Sequence, residues 1–297
     1  MVAEKGYVIS GGKDKKIAII NASKGEFKLE KFVDMGASFC RSIDILNGNL
    51  LVGLKNGSIA EFKNVLEGDE PKEVTLLQSH FEGELWGLEI VDENHVITCG
   101  DDNRIMLFNT ETKQCERIGK LSEHKPKNAA KAKAVTASSM SVYPANQQGR
   151  AICYSAKHGH IAVGTNMGKV SIREFKDFEK KVTSLKDSQE WCEVVKYSPC
   201  ENFLAVGSHD NQVYVYSVSE EGEYKLYKSF NKHSSFVQAL DWSADSSYIR
   251  SASGDYEKLY WDVANKVFDS HGIVNTKDHV WATTTVKLGW DVLGIHP

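Results

Sequence analysis

One eleven-residue pattern recurs six times along the chain and constrains the fold more than any other feature. Each copy holds the end of an apolar alternating run, a step of small residues, a two-residue turn and a second alternating run. Alternation with a period of two is typical of β-strands, and a short turn between two such runs is typical of an antiparallel hairpin. The copies begin at residues 10, 52, 98, 163, 206 and 251 and read SGGKDKKIAII, VGLKNGSIAEF, TCGDDNRIMLF, VGTNMGKVSIR, VGSHDNQVYVY and SASGDYEKLYW.

The spacing of the six turns matches the repeat of a β-propeller. Counted from the first turn residue, the copies lie 42, 46, 65, 43 and 45 residues apart, and propeller blades repeat every ~40–45 residues. We therefore predict an all-β WD-repeat β-propeller of six to seven four-stranded blades, either a complete ring or a fragment of one, as a single domain over residues 1–297. Four turn pairs begin with Asp, one with Asn, and two end in Gly, which is typical of hairpin turns that need positive φ.

The two ends of the chain suggest how such a ring would close. The first blade shows only three predicted strands, Tyr7–Ser10, Ile17–Asn21 and Phe27–Phe32, while an unassigned apolar run lies at Val280–Leu288. One hypothesis is that this last run supplies the missing strand of the first blade and removes two exposed sheet edges. The alternative is an open fragment of a larger ring.

The spacing of 65 places an insertion at residues 120–150, between the third and fourth blades. Its composition, rich in Lys, Ala, Ser and Gln, predicts an exposed loop rather than a packed strand. The segment has a local charge of +5, and its basic residues are possible contacts for a partner, although charged loops are usually only solvated. They are Lys120 and Arg150 at its ends and, between them, the four insertion lysines Lys125, Lys127, Lys131 and Lys133.

Composition excludes several classes of protein. The net charge of −4 gives no chain-wide footprint for nucleic acid. No signal-peptide core and no run of membrane-spanning length is present, so no membrane contact is expected. The six cysteines form no CxxC pair, which favours reduced thiols in a cytoplasmic protein.

Two sets of polar residues resemble the hydrogen-bonded network of WD repeats. In that network a turn Asp orients a His, which contacts a strand Ser and then a Trp. A Ser-His-Asp arrangement also resembles a catalytic triad, but its recurrence along the repeats favours a structural role. The fuller set is His233, Ser251, Asp255 and Trp261, and the partial set is His80, Thr98 and Asp102.

Other chemistry finds little support in the sequence. Gly11-Gly12-Lys13 lacks the spacing of a phosphate-binding loop, and the pair His158 and His160 has no third metal ligand nearby. The carboxylates are too scattered to propose an acid–base pair. We expect no catalytic residue, no cofactor and no metal. We expect the six Trp residues to lie mostly in the core, while some exposed ones could line an interaction surface.

The most specific resemblance is to the echinoderm microtubule-associated protein-like family. It rests on HSSFVQALDWSADSSYIRSASGDYEKLYWD from His233, followed by WATTTVKLGWDVLGIHP from Trp281, and is supported by ELWGL from Glu84, LAVGSHDN from Leu204 and SGGKD from Ser10. The resemblance covers nearly the whole chain. It implies tandem propellers, a cytoskeletal location and association with microtubules through tubulin.

Three functions follow as hypotheses. The first is a non-enzymatic interaction scaffold that binds microtubules, where the basic residues of the insertion meet the acidic tails of tubulin. The second is a scaffold in another assembly, such as a ciliary or signalling complex. The third, a propeller hydrolase, would need inward-facing carboxylates or His at matching positions in several blades, and the sequence shows none.

Overall fold

A computed structural model of the chain describes residues 1–23, 25–35, 39–67, 71, 73–81, 83–121 and 147–286. These residues form six four-stranded antiparallel sheets and one short helix, and each sheet is built from four strands that follow one another in the chain. The predicted all-β fold of four-stranded blades is therefore confirmed. In chain order the elements are β1 (Val2–Glu4), β2 (Tyr7–Gly11), β3 (Lys16–Asn21), β4 (Lys28–Asp34), β5 (Cys40–Leu46), β6 (Asn49–Leu54), β7 (Ile59–Phe62), β8 (Glu73–Leu77), β9 (Leu85–Ile90), β10 (His95–Gly100), β11 (Arg104–Asn109), β12 (Gln114–Lys120), β13 (Gly149–Ser155), β14 (His160–Thr165), β15 (Val170–Glu174), β16 (Lys181–Leu185), β17 (Cys192–Tyr197), β18 (Phe203–Ser208), β19 (Val213–Val218), β20 (Tyr224–Phe230), β21 (Val237–Trp242), β22 (Tyr248–Ser253), β23 (Lys258–Asp262), β24 (Val267–Phe268) and α1 (Gly272–Asn275).

The chain divides into two compact units, which are described separately. The first unit comprises Met1–Glu82 and Asn109–Cys115, and the second comprises Gly83–Phe108 and Glu116–Pro297. The sheets that begin with β1 and β5 belong to the first unit, and those that begin with β9, β13, β17 and β21 belong to the second. The single domain over residues 1–297 stays a prediction.

The six predicted hairpin turns all contain a residue with positive φ. It is the second residue of the turn pair in every case, where the chain reverses between the second and third strands of a sheet. Gly and Asn adopt this region most readily. The φ angles are 62° at Lys15, 76° at Gly57, 63° at Asn103, 67° at Gly168, 67° at Asn211 and 66° at Tyr256.

The first sheet corrects the hypothesis of closure by the C-terminal run. Its fourth strand is β1, which pairs with β2 through Val2 and Ile9, so the sheet is complete without residues from the other end of the chain. Within residues 280–286 the structure shows one isolated antiparallel bridge, between Ser243 and Trp281, in place of the predicted strand. The rest of the run Val280–Leu288 lies outside the described residues.

In the second unit each apolar core lies between two neighbouring sheets. Successive residues of β14 enter different cores, with Ile161 packed towards the sheet of β9–β12 and Ala162 towards the sheet of β17–β20. Ala205 and Val206 of β18 divide in the same way between the cores on the two sides of their sheet. The first unit has its own core, which includes Ile9. Because both faces of β14 and β18 are buried, these strands are apolar at nearly every position.

The segment 280–286 folds back along the first strand of the last sheet. The amide of Ala244 donates to the carbonyl of Val280 at 2.7 Å, and the amide of Ala282 donates to the carbonyl of Trp242 at 2.9 Å. The indole of Trp281 lies 4.4 Å from the guanidinium carbon of the buried Arg250. These contacts bring the following threonines to a buried carboxylate.

That carboxylate belongs to Asp241, whose side chain is fully buried. It accepts hydrogen bonds from Arg250 Nε at 3.1 Å, from the amide and hydroxyl of Thr285 at 2.9 and 2.7 Å, and from the amide of Val286 at 2.8 Å, as well as from the hydroxyl of Thr283. Burial alone would raise the pKa of Asp241, but these hydrogen bonds and the charge of Lys196 hold it below its usual value. Asp241 is therefore the anchor of the segment 280–286.

Candidate functional site

The candidate site lies at one edge of the four sheets in the second unit. The first strand of each sheet starts at this edge and the second strand ends there, because the two strands are antiparallel. Five side chains meet at this edge, and we call them the stacked row. Trp86 and Arg150 are the second residues of β9 and β13, Trp191 and Phe236 immediately precede β17 and β21, and His209 follows β18.

The stacked row is continuous across all four sheets. The guanidinium carbon of Arg150 lies 4.3 Å from the ring centroids of both Trp86 and Trp191. The ring of His209 lies 5.4 Å from that of Trp191 and 4.6 Å from that of Phe236. A guanidinium held over indole faces makes a favourable cation–π contact, which is stronger when it is shielded from water.

Arg150 is fixed within the row by polar contacts as well. Its Nη1 lies 3.1 Å from Asp101 Oδ1, and its Nη2 donates to Gln148 Oε1 at 3.0 Å. The indole of Trp86 donates to the same oxygen of Asp101 at 3.2 Å. Arg150 is only 7% exposed, while Trp86 and Trp191 remain 41% and 37% exposed. The arrangement therefore presents two indole edges to solvent on a rigid support.

These contacts correct the predicted exposed position of Arg150 in the insertion. Arg150 lies in β13 between two tryptophans, so it cannot serve as a free basic tether. Lys120 is the last residue of β12, with its side chain exposed and its amide donating to Glu179 Oε1 at 2.9 Å. The insertion is thus shorter than residues 120–150, since strands occupy both of its predicted ends. The four insertion lysines lie outside the described residues.

His233, Ser251 and Trp261 meet in the interior of the last sheet. His233 Nε2 lies 2.7 Å from Ser251 Oγ, which also accepts a hydrogen bond from Trp261 Nε1 at 2.7 Å. Burial lowers the pKa of His233, although the nearby Glu257 acts to raise it. A neutral imidazole with its proton on Nδ1 would accept a hydrogen bond at Nε2 from the hydroxyl of Ser251, which suits this geometry.

The acidic group beside His233 is Glu257 rather than the predicted Asp255. Glu257 Oε2 lies 3.3 Å from His233 Nδ1. Asp255 instead accepts hydrogen bonds from the hydroxyls of Ser234 and Ser253, which lower its pKa to about 2. The carboxylate two residues further along the chain reaches the imidazole because Asp255 is held by its own turn.

The partial set is divided between the two units. Thr98 is buried in β10, and Asp102 accepts a hydrogen bond from the amide of Arg104 at 3.2 Å in the turn that follows, both within the second unit. His80 lies in the first unit. The structural role of these residues, as of the His233 set, stays a prediction.

A cavity of about 300 Å³ opens beside Trp86 and Arg150. In its wall, burial raises the pKa of Glu89 to about 7, against the opposing charge of Lys196. The ammonium of Lys196 donates to the hydroxyls of Thr283 at 2.8 Å and Thr285 at 3.0 Å. Among the described residues, no group of three or more His, Cys, Asp or Glu side chains could hold a metal ion. The exposed indoles and the cavity beside them offer a contact surface.

The sequence predicted tryptophans mostly in the core, with some exposed at an interaction surface, but it did not indicate which ones or that they form a row. Trp242 and Trp261 are fully buried as expected, whereas Trp86 and Trp191 are partly exposed. The position of a Trp at the start of a strand, next to a turn, was the available signal.

In the part of the chain that the structure describes, no helix has the length and apolar composition needed to cross a bilayer.

Comparisons with known proteins agree with the fold. Residues 85–297 match the family model described as Echinoderm microtubule-associated protein second beta-propeller. The chain is 39% identical, over 98% of its length, to the Ciliary WD repeat-containing protein ctxp80 of Euplotoides octocarinatus. Over its full length it is 32% identical to the 77 kDa echinoderm microtubule-associated protein of Strongylocentrotus purpuratus and 33% identical to Echinoderm microtubule-associated protein-like 1 of Homo sapiens.

The chain spans less than half the length of these relatives, covering 39%, 39% and 33% of them respectively. The matched residues include the whole stacked row and the Asp241 anchor. The resemblance inferred from the sequence is confirmed, and the chain belongs to the echinoderm microtubule-associated protein-like family of WD-repeat β-propellers.

Proposed function

We propose that this chain is a non-enzymatic interaction module of a cytoplasmic, microtubule-associated cytoskeletal protein. The observation that carries the interaction function is the stacked row, with the partly exposed indoles of Trp86 and Trp191 held rigidly by Arg150. Rigid aromatic side chains bury much apolar area at low entropic cost, and they are enriched at the centres of protein interfaces. The names of the sea urchin and human relatives support microtubules as the assembly involved.

A second candidate is a scaffold within a ciliary assembly. It is favoured by the relative from Euplotoides octocarinatus, whose name is ciliary and which is more similar in sequence than the sea urchin and human proteins above. The two functions share the same contact surface and differ in the assembly that the chain joins.

Co-sedimentation of the purified chain with polymerised tubulin tests the proposal. Saturable recovery of the chain in the microtubule pellet supports the microtubule function. A chain that stays in the supernatant at every tubulin concentration contradicts that function, and row-dependent binding to defined proteins of a ciliary extract would then favour the second candidate.

A pair of variants tests the row itself. The double variant Trp86→Ala, Trp191→Ala should lose protein binding, while Val274→Ala, at a more exposed position on α1, should not. Equal binding by both variants would contradict the role of the row.

A further inference from the structure

Tyr256 stands at the same edge of the second unit as the stacked row, with 93% of its surface exposed. It is the second residue of the turn between β22 and β23, and its φ is 66°. The equivalent turns of the second unit use Asn103, Gly168 and Asn211, which are residues suited to this region of φ. Tyrosine is disfavoured there.

The ring of Tyr256 gives the folded chain little in return for this conformation. A side chain that is almost fully exposed contributes little apolar burial, so packing does not explain why a bulky residue occupies a left-handed position. Strained backbone of this kind is concentrated at sites of recognition. The exposed ring is therefore available to a partner.

The Tyr256 turn is fixed against one end of the stacked row. The amide of Gly254 donates to the carbonyl of Phe236 at 2.9 Å. A Cβ atom at position 254 would lie 2.4 Å from the ring of Phe236, so a larger residue there would displace that ring. The turn and the row therefore form one surface, and Trp191 and Tyr256 are exposed aromatic groups at the end of it nearest the turn.

Carboxylates lie on either side of this surface, and Lys258 lines the cavity that Tyr256 shares. Asp187, Glu190 and Asp210 line a cavity of about 420 Å³ beside the row, and no Lys or Arg is among the described residues that line it. Asp255 and Glu257 flank Tyr256 in the sequence. Such a field attracts cationic groups and repels acidic segments.

The row already shows how an arginine is accommodated here. The guanidinium of Arg150 lies between two indoles and pairs with Asp101. The ring of Trp191 is already contacted by Arg150 and His209, so it contributes its exposed edge as apolar contact area. The ring of Tyr256 is exposed and lies next to Asp255 and Glu257 in the sequence, so an arginine from another chain would find the same two kinds of contact there.

We propose that this edge of the second unit is a docking surface for an arginine- and lysine-rich segment of a partner protein, with Trp191 and Tyr256 as its aromatic anchors. The inference rests on the proposed interaction function and names the chemistry of the segment that is bound. This surface would repel acidic tubulin tails, so any microtubule contact that the row makes would be with basic residues of the assembly.

Binding of synthetic peptides to the full chain tests the proposal by calorimetry. A short peptide of alternating Arg and Gly should bind, its affinity should fall with added salt, and a Glu–Gly peptide of equal length should not bind. Tyr256→Asn should weaken binding about fivefold, as expected for loss of one cation–π contact, and should also raise Tm by about 2 °C because Asn relieves the strain.

Three controls separate the ring from general effects. Tyr256→Phe and Trp191→Phe keep the aromatic faces and should bind as the wild type does. Trp191→Ala should weaken binding about as much as Tyr256→Asn. Glu221→Gln removes an exposed carboxylate from the turn between β19 and β20, at the opposite edge, and should change nothing.

Two results would overturn the proposal: equal binding of the Arg–Gly and Glu–Gly peptides, or unchanged binding in both Tyr256→Asn and Trp191→Ala. A lower Tm for Tyr256→Asn would also contradict it, since the ring would then be stabilising the fold. These outcomes are independent of tubulin. If the chain binds the peptide but does not sediment with microtubules, only the proposed microtubule function is contradicted.

Discussion

Replacing Asp241 with Ala should lower the free energy of unfolding of the second unit by about 4 kcal/mol, because removal of one partner from a buried ion pair typically costs about 3–5 kcal/mol. The substitution leaves the guanidinium of Arg250, which is 2% exposed, without its carboxylate. It also removes the acceptor for Thr285 and Val286. Urea denaturation measures the loss, and Tm should fall by roughly 10 °C.

A double-mutant cycle with Thr285→Val tests whether Asp241 anchors the segment 280–286. In the wild type the valine should cost about 1–2 kcal/mol through the lost hydroxyl hydrogen bonds. In the Asp241→Ala background its cost should fall by about 1 kcal/mol, since the main acceptor is already absent. Fluorescence of Trp281 should report release of the segment in either variant.

The contribution of Asp241 to the free energy of unfolding depends on pH with a definite sign. The folded-state pKa of Asp241 is lowered, so its contribution is fully present above the unfolded-state pKa of about 3.9 and is lost as the pH falls through the lower folded-state pKa. An Asp241→Ala cost below about 1 kcal/mol at neutral pH, where the buried pair is charged, would refute the reasoning. So would a Thr285→Val cost that is unchanged by the first substitution.

Four further predictions concern separate parts of the chain. Arg150→Met keeps the length of the side chain but removes the cation that pairs with Asp101 and contacts both indoles. Unfolding in urea should therefore show a loss of about 1–3 kcal/mol, whereas an exposed tether would lose nothing. Burial lowers the pKa of His233, so the wild type should lose stability as the pH falls below about 6.5, and His233→Asn should lack this component in pH-dependent thermal melts. Cys200 is exposed. Burial acts to raise its pKa, but hydrogen bonds, including those with Ser198 and Ser246, lower it. Cys200 should therefore react with iodoacetamide before the buried thiols of Cys99, Cys153 and Cys192. Changing the four insertion lysines to Gln should reduce co-sedimentation with microtubules most strongly at low salt. Equal sedimentation of the wild type and this variant would show that these lysines do not bind the microtubule.

Local sequence pattern predicted the repeating elements because each hairpin is specified by residues close together in the chain. The turn at Asn211 shows this well, since an Asp-Asn pair between two alternating runs leaves few other conformations. The first sheet was miscounted because β1 has only three residues, Val2–Glu4, too few to show a period. A strand this short can be identified only from its pairing with a neighbouring strand.

The stacked row could not be predicted because its contacts join distant parts of the sequence. Arg150 meets Trp86 and Trp191 from two other sheets, and its neighbours Gln147, Gln148 and Gly149 resemble the polar segment that precedes them. Nothing within a few residues of Arg150 indicates burial. The relative placement of whole sheets decides whether Arg150 is buried, and the periodicity of apolar residues carries no information on that placement.

The sharing of cores between neighbouring sheets has a consequence for how the second unit opens. The sheets β13–β16 and β17–β20 each contribute to two of its cores, while the sheets that begin with β9 and β21 each contribute to one of them. Structures with such nearest-neighbour coupling lose their elements one at a time from the least coupled positions. Amide hydrogens of β14 and β18 should therefore exchange with deuterium more slowly than those of β10 and β22. A ligand that spans the row would contact all four sheets at once, and it should slow exchange most in the two sheets that open first.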